Sequence, residues 1–243
     1  NNLYGNQPVP IEFPENWEVK VHSYRGETAS ALSQEQIQQA LRNPQNGSPV
    51  YQDARGAKTA VIIVDDITRP TPAADIAEEV VTQLLEAGLA KKNIHFMFAV
   101  GMHRSMSRDE AVRKVGEKIV SSYHVFYHNP FFNTVRVGVA KNGLPIELNA
   151  DCVYADYKIG IGTLVPHPHT GIAGGGKLIV PGIASVETIR RYHLLPQKRW
   201  SLDTSARQVT IEAAEMLGLN IKIDALLNGQ GQIARLFVGK CGE

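Results

Sequence analysis

Two stretches of the chain are apolar without alternation. Residues 59–65 read TAVIIVD and end in acid, and residues 94–100 form a second such run. Continuous apolar runs of this length, bounded by turn residues, predict strands buried on both faces of a parallel sheet. Between them the apolar positions take up a helical period over about 73–87, which Gly88 closes. Ser33 followed by Gln36, and Ser107 followed by Glu110, have capping-box spacing and predict two more helix starts. The first of these helices ends by Pro44, and 43–48 reads as a loop. Upstream, Pro8, Pro10 and Pro14 mark an irregular lead-in over about 1–20, and the alternation at 17–22 predicts a short strand.

Downstream, 134–140 and 144–148 flank Lys141-Asn142-Gly143, a hairpin turn. A short buried strand is expected at 157–161, helices at about 185–193 and 205–217, and a final pair of strands at 220–227 and 232–238. Strand, loop, helix in repetition predicts an α/β fold. We expect a doubly wound, mostly parallel sheet with flanking helices, Rossmann-like, plus a small hairpin region. The expectation is a single cofactor-binding catalytic domain over 1–243.

Composition narrows the function classes. The 243 residues are 43% hydrophobic and 20% charged, with a net charge of +1. That balance gives no electrostatic reason to expect nucleic acid or an anionic membrane as partner. The longest apolar stretches, 60–64 and 96–100, are far too short to span a bilayer, and no signal peptide is visible. Cys152 and Cys241 stand far apart without a CxxC pattern, which suggests a reducing compartment and a cytoplasmic protein.

In open α/β sheets ligands bind beyond the carboxyl ends of the strands. One such end carries Asp65-Asp66-Ile67-Thr68-Arg69-Pro70, where Arg69 suits a carboxylate or phosphate and a turn with an internal Asp–Arg pair is the bland alternative. The next carries His103 and Arg104. The least ordinary segment is 166–182, PHPHTGIAGGGKLIVPG. Gly174, Gly175 and Gly176 can bring backbone N–H groups close to an anion. A Walker A loop is excluded because Leu178, not Ser or Thr, follows Lys177, and no GxGxxG opens a helix. What stands is a lysine in a glycine-rich bed, with His167 and His169 upstream and His193 downstream. A desolvated lysine has a lowered pKa and becomes nucleophilic. Read alone, His193 is a favourable cation near a helix C-terminus, while His169, His124 and His128 are taken as structural. Zinc held by protein ligands alone is a minority reading, since no HExxH or Cys pair occurs.

Three motifs together resemble the lactate racemase family. Asp66-Ile67-Thr68-Arg69-Pro70 resembles its DHTRP, Gly101-Met102-His103-Arg104 its GTHR, and the segment from Pro166-His167 through Lys177 to Pro181-Gly182 its PHFFAGFSGGRKSxLPG. The resemblance implies a nickel-pincer nucleotide, a pyridinium mononucleotide whose two thioacyl groups hold nickel through sulfur, carbon and sulfur. It implies a covalent bond from Lys177 to that cofactor, His193 as the nickel ligand, and His103 and His167 as acid and base on the substrate hydroxyl. Arg69 would hold the substrate carboxylate with Asp66 orienting it, and Thr68 with the Gly174, Gly175 and Gly176 amides would meet the cofactor phosphate. The implied reaction is racemisation or epimerisation of a 2-hydroxy acid. Hydride leaves Cα as a histidine takes the hydroxyl proton, then returns to the opposite face of the planar 2-keto acid.

Ile67, Met102, Pro168, His169 and Gly176 depart from the family pattern, so a larger or differently charged 2-hydroxy acid, or a sugar acid, stands beside lactate as substrate. The family's C-terminal α/β domain is expected to be absent from this chain, and cofactor-making enzymes are implied partners. Two rival readings are a non-catalytic nickel-cofactor or nucleotide-binding module that needs a partner domain, and a hydrolase or lyase using Lys177 as a Schiff-base nucleophile.

Overall fold

The computed structural model describes residues 10–196 and 201–241. Pro8, Trp200 and Glu243 lie outside these described residues. The chain first builds α1 (Gln34–Arg42) and α2 (Val50–Asp53), then β1 (Ala60–Asp65), α3 (Ala73–Glu86) and β2 (Ile94–Ala99). Next come α4 (Arg108–Val115), α5 (Glu117–Ser122) and the edge strand β3 (His124–Tyr127). Both expected capping boxes form, Ser33 with Gln36 on α1 and Ser107 with Glu110 on α4. Gly116, at φ 88°, ends α4 in a conformation open to glycine and splits it from α5.

The second half continues with β4 (Thr134–Val139) and β5 (Pro145–Asn149), the expected hairpin, and α6 (Ala150–Tyr154). Strand β6 (Tyr157–Thr163) follows, then the two-residue strands β7 (Pro166–His167) and β8 (Gly171–Ile172), α7 (Val186–His193), α8 (Ser205–Leu217), β9 (Ile221–Leu227) and β10 (Ile233–Gly239).

The main sheet has the order β10-β9-β6-β1-β2-β3. All neighbours are parallel except β10, which runs antiparallel to β9. From β1 the chain steps outward to β2 and β3, then crosses back to place β6 on the other side of β1. The strand order therefore reverses between β1 and β6, and a doubly wound sheet forms its ligand crevice at such a point.

Alternate residues of β1 feed two cores. Ile62 and Val64 pack with Ile76, Val80 and Leu84 of α3 and Val115 of α4. Val61 and Ile63 pack on the other face with Ile146, Leu148, Tyr192 of α7 and Val209 of α8. Burial on both faces explains why the strand reads as an unbroken apolar run. Among the described residues no helix is long and apolar enough to cross a membrane.

Two expectations need correction. Residues 17–22 form no strand. The segment is extended, and Trp17, Val19 and Val21 all lie exposed; alternation gave it an apolar face, but no sheet edge of the described residues pairs with it. Conversely β3 was not foreseen. It is an edge strand with exposed His124 and Phe126, so it lacks the buried run that marked its neighbours.

Candidate active site

The carboxyl end of β1 delivers two buried acids with different duties. Asp66 is gripped from both sides. Its Oδ1 accepts from the Thr68 backbone N–H (2.8 Å) and hydroxyl (2.5 Å), while Oδ2 lies 2.5 Å from His103 Nδ1. Asp66 is almost fully buried and His103 half exposed, so the carboxylate anchors the ring and leaves Nε2 as the lone-pair nitrogen. Gly101, at φ 54°, makes this possible: a Cβ there would stand 3.2 Å from the Pro181 carbonyl oxygen. Arg104, next along, is committed elsewhere, donating to both carboxylate oxygens of Glu110 at 2.8 and 2.5 Å.

Asp65 accepts from the Thr71 hydroxyl at 2.5 Å and pairs with Lys114 at 2.6 Å. Burial pushes its carboxyl above the usual carboxylate range, and Lys114 opposes that shift. Lys114 Nζ also donates to the Arg69 carbonyl at 2.9 Å, tying down the loop that carries Arg69.

Beyond β6 the chain turns through β7 and β8 into a 3-10 turn, Gly175–Leu178, which presents Lys177. The three glycines there do different things. Gly174 lines the cleft. The Gly175 N–H donates to Asp224 Oδ2 at 2.9 Å. Gly176 is pressed against α8, where a Cβ would fall 1.9 Å from the Thr210 carbonyl oxygen.

His169 works through its backbone, donating its N–H to His167 Nδ1 at 3.2 Å. That bond makes Nε2 the protonated nitrogen of neutral His167. The His169 ring stacks on His193, with centroids 5.9 Å apart. His193 sits in the last turn of α7 and donates from Nδ1 to the Ile189 carbonyl at 2.9 Å, so its Nε2 is free to act as a donor to a metal.

These groups meet in an open-mouthed cleft of about 200 Å³, lined by Asp66, Arg69, His103, His167, Gly174, Lys177 and His193 among others. Thr68, Gly175 and Gly176 do not line it. The cleft is rich in cationic groups, with measurable consequences. Desolvation and then the Arg69 charge lower Lys177 to about 8, against a weaker upward pull from Asp66. Desolvation, followed by the charges of Lys177 and Arg69, lowers His167 to about 4. At neutral pH Lys177 therefore holds more free amine than an ordinary lysine, while His167 is neutral.

Under the cleft lies a set of buried charges that sequence reasoning missed. Lys222 and Asp224 of β9 form an ion pair, both buried. A Cβ on Gly162 would stand 3.2 Å from Lys222 Nζ, 3.5 Å from Asp65 Oδ2 and 3.6 Å from Asp224 Oδ1. Lys114 of α4, Asp65 at the end of β1, and Lys222 and Asp224 in the first half of β9 thus alternate in sign beside Gly162 of β6. One end holds the Arg69 carbonyl and the other holds the Gly175 N–H beside Lys177. The signal was present in β9, where Lys222 and Asp224 stand two apart, on one face, in the otherwise apolar IKIDALL.

Comparison with known proteins places the chain. Lactate racemase of Thermoanaerobacterium thermosaccharolyticum is 29% identical over 251 residues, covering 97% of this chain and 58% of that protein. Lactate racemase of Lactiplantibacillus plantarum is also 29% identical, over 235 residues, covering 93% of this chain and 55% of that one. The chain therefore spans little more than half the length of these relatives. The apoprotein structure of the T. thermosaccharolyticum enzyme matches with a TM-score of 0.81 at 26% identity, over 87% of this chain and 53% of that chain. A Thermotoga maritima protein shares the fold, with a TM-score of 0.71 at 24% identity over 86% of this chain and 55% of that one. The model of the lactate racemase N-terminal domain matches residues 4–204, and on that match the chain belongs to the lactate racemase family.

Proposed function

We propose that this chain is the cofactor-holding half of a 2-hydroxy acid racemase or epimerase that works with a nickel-pincer nucleotide. The observation that carries the proposal is the convergence of Lys177, His193, His103, His167 and Arg69, from four separate loops and helix ends, on one cleft.

The donor chemistry fits the implied group. Among the described residues no cluster of three or more His, Cys, Asp or Glu could hold a metal unaided. Besides His103, which Asp66 holds, the cleft offers His193, whose Nδ1 is engaged by a backbone carbonyl so that Nε2 carries the lone pair, and one amine of lowered pKa, Lys177. That pair suits a metal brought in by an organic carrier tethered through the amine. When bound, the nickel-pincer nucleotide supplies the hydride acceptor that chemistry at C2 requires.

The residues of the chain do the rest. Arg69 binds the substrate carboxylate and so fixes C2 relative to both catalytic imidazoles. His103, held by Asp66 with its lone pair on Nε2, takes the hydroxyl proton. His167 presents Nε2–H to the same oxygen from its own side. As a neutral ring it donates a hydrogen bond, and it becomes a proton donor only when charged. Tethering through Lys177 would consume a cation that holds His167 down, and so bring its titration back toward the working range. The Lys114-to-Asp224 charge row holds the Arg69 and Lys177 loops in register.

The test is enantiomer interconversion, followed by chiral chromatography over a panel of 2-hydroxy acids, using protein co-expressed with cofactor-making enzymes. Interconversion that falls 10²-fold or more in both His103→Ala and His167→Ala is expected. Protein that carries the adduct yet interconverts no acid would overturn the catalytic reading and leave a binding module.

A further inference from the structure

Beside His103 the cleft gives way to a second recess of about 300 Å³, walled by Val100, Met102, His103, Tyr127, Pro130 and Phe131. The two share Val100, Gly101, Met102 and His103 along their common wall. Among the described residues, no Asp, Glu, Lys or Arg lines the recess. His128, at its back, is neutral in character: burial lowers its pKa, and Nε2 donates to the Ala184 carbonyl at 2.8 Å. The exposed Asn129 accepts through Oδ1 from the Phe131 N–H at 3.0 Å. Met102 and Phe131 are 52% and 72% exposed, a cost in water that a ligand would remove.

A 2-hydroxy acid bound for reaction has its carboxylate at Arg69 and its hydroxyl between His103 and His167. The remaining substituent on C2 must go elsewhere. The free space next to His103 is this recess, far larger than a methyl group needs. Its walls offer a thioether and aromatic faces, groups that favour aromatic and bulky apolar partners. They offer no cation to a second carboxylate, and Ser105, Tyr127 and Asn129 are the hydroxyl and amide groups in the lining.

We propose that the recess is the side-chain pocket of the substrate, and that this protein prefers 2-hydroxy acids with an aromatic or bulky uncharged aliphatic group at C2 over lactate or 2-hydroxysuccinate. The inference rests on the 2-hydroxy acid reading above and narrows it.

The purified chain, titrated with 3-phenyl-2-hydroxypropanoate, lactate and 2-hydroxysuccinate, tests it through methionine-methyl and backbone amide NMR shifts. The aryl acid should bind at least tenfold tighter than the other two, moving the Met102 methyl and the Phe131 amide together with Arg69. Met102→Glu, at an exposed position where folding is checked by circular dichroism, should abolish that preference. Equal affinities, tighter 2-hydroxysuccinate, or aryl-acid shifts at Arg69 without Met102 would overturn the pocket and leave the 2-hydroxy acid reading standing. Failure of every acid to perturb Arg69 or His103 would overturn both.

Discussion

Substituting Lys222 by methionine removes one charge from the buried row under the cleft and leaves Asp224, almost fully buried, with only the Gly175 N–H as donor among the described residues. Asp224→Asn does the converse, keeping an acceptor for Gly175 but leaving Lys222 to share Asp65 with Lys114. Leaving one charge of a buried pair uncompensated costs about 3–5 kcal/mol. Each single variant keeps one compensating group, so the lower end applies, about 3 kcal/mol. For a domain of this size that lowers Tm by about 6–12 °C. The double variant strands neither charge, and it should lose only about 1–2 kcal/mol. The singles then sum to more than the double by several kcal/mol, a coupling at or above the upper end of the usual range for contacting residues. Urea melts of the four proteins, with unchanged m-values, give the numbers directly. Asp224→Ala, which removes the acceptor as well, should also speed hydrogen exchange at the Gly175 amide. If the two single effects add to the double within about 0.5 kcal/mol, the pair is not coupled and the row does not hold the site.

Three further outcomes follow from the same geometry. Amine-selective labelling of Lys177 should be half-maximal near pH 8; Arg69→Met should raise that midpoint by removing a repelling cation, whereas Asp66→Asn should lower it further. The His167 ring should titrate near pH 4 by NMR and shift upward in Lys177→Met, because Lys177 is the leading charge that suppresses its protonation; an unchanged midpoint would contradict their proximity. Gly176→Ala should destabilise the protein by at least about 1–3 kcal/mol by overpacking against the Thr210 carbonyl, seen as a fall in Tm.

The sequence was informative wherever the physics is local or wherever burial is complete. Unbroken apolar runs located β1 and β2 because both faces of a central parallel strand are dry. Ser33 with Gln36 and Ser107 with Glu110 located helix starts because capping joins residues three apart. The motif residues Asp66, Arg69, His103, His167, Lys177 and His193 were legible as chemistry, and they come together at the point where the strand order reverses. What stayed hidden depends on partners far along the chain. Nothing near Gly175 or Gly176 in sequence says that one serves Asp224 and the other makes room for Thr210. The backbone of His169 orients His167 through a contact that its side-chain type does not advertise. Residues 17–22 carry the alternation of a strand, but pairing is a property of two segments, and the second is not among the described residues.

The central claim is that Lys177 carries a nucleotide-sized group whose metal is held by His193. Intact mass spectrometry with nickel analysis, on protein co-expressed with cofactor-making enzymes, addresses it most directly. The account predicts a stable adduct of nucleotide mass, lost in Lys177→Ala, with nickel near one per adduct that is released in His193→Ala while the adduct persists. An unmodified Lys177 in protein prepared this way, or nickel retained equally by both variants, would contradict it.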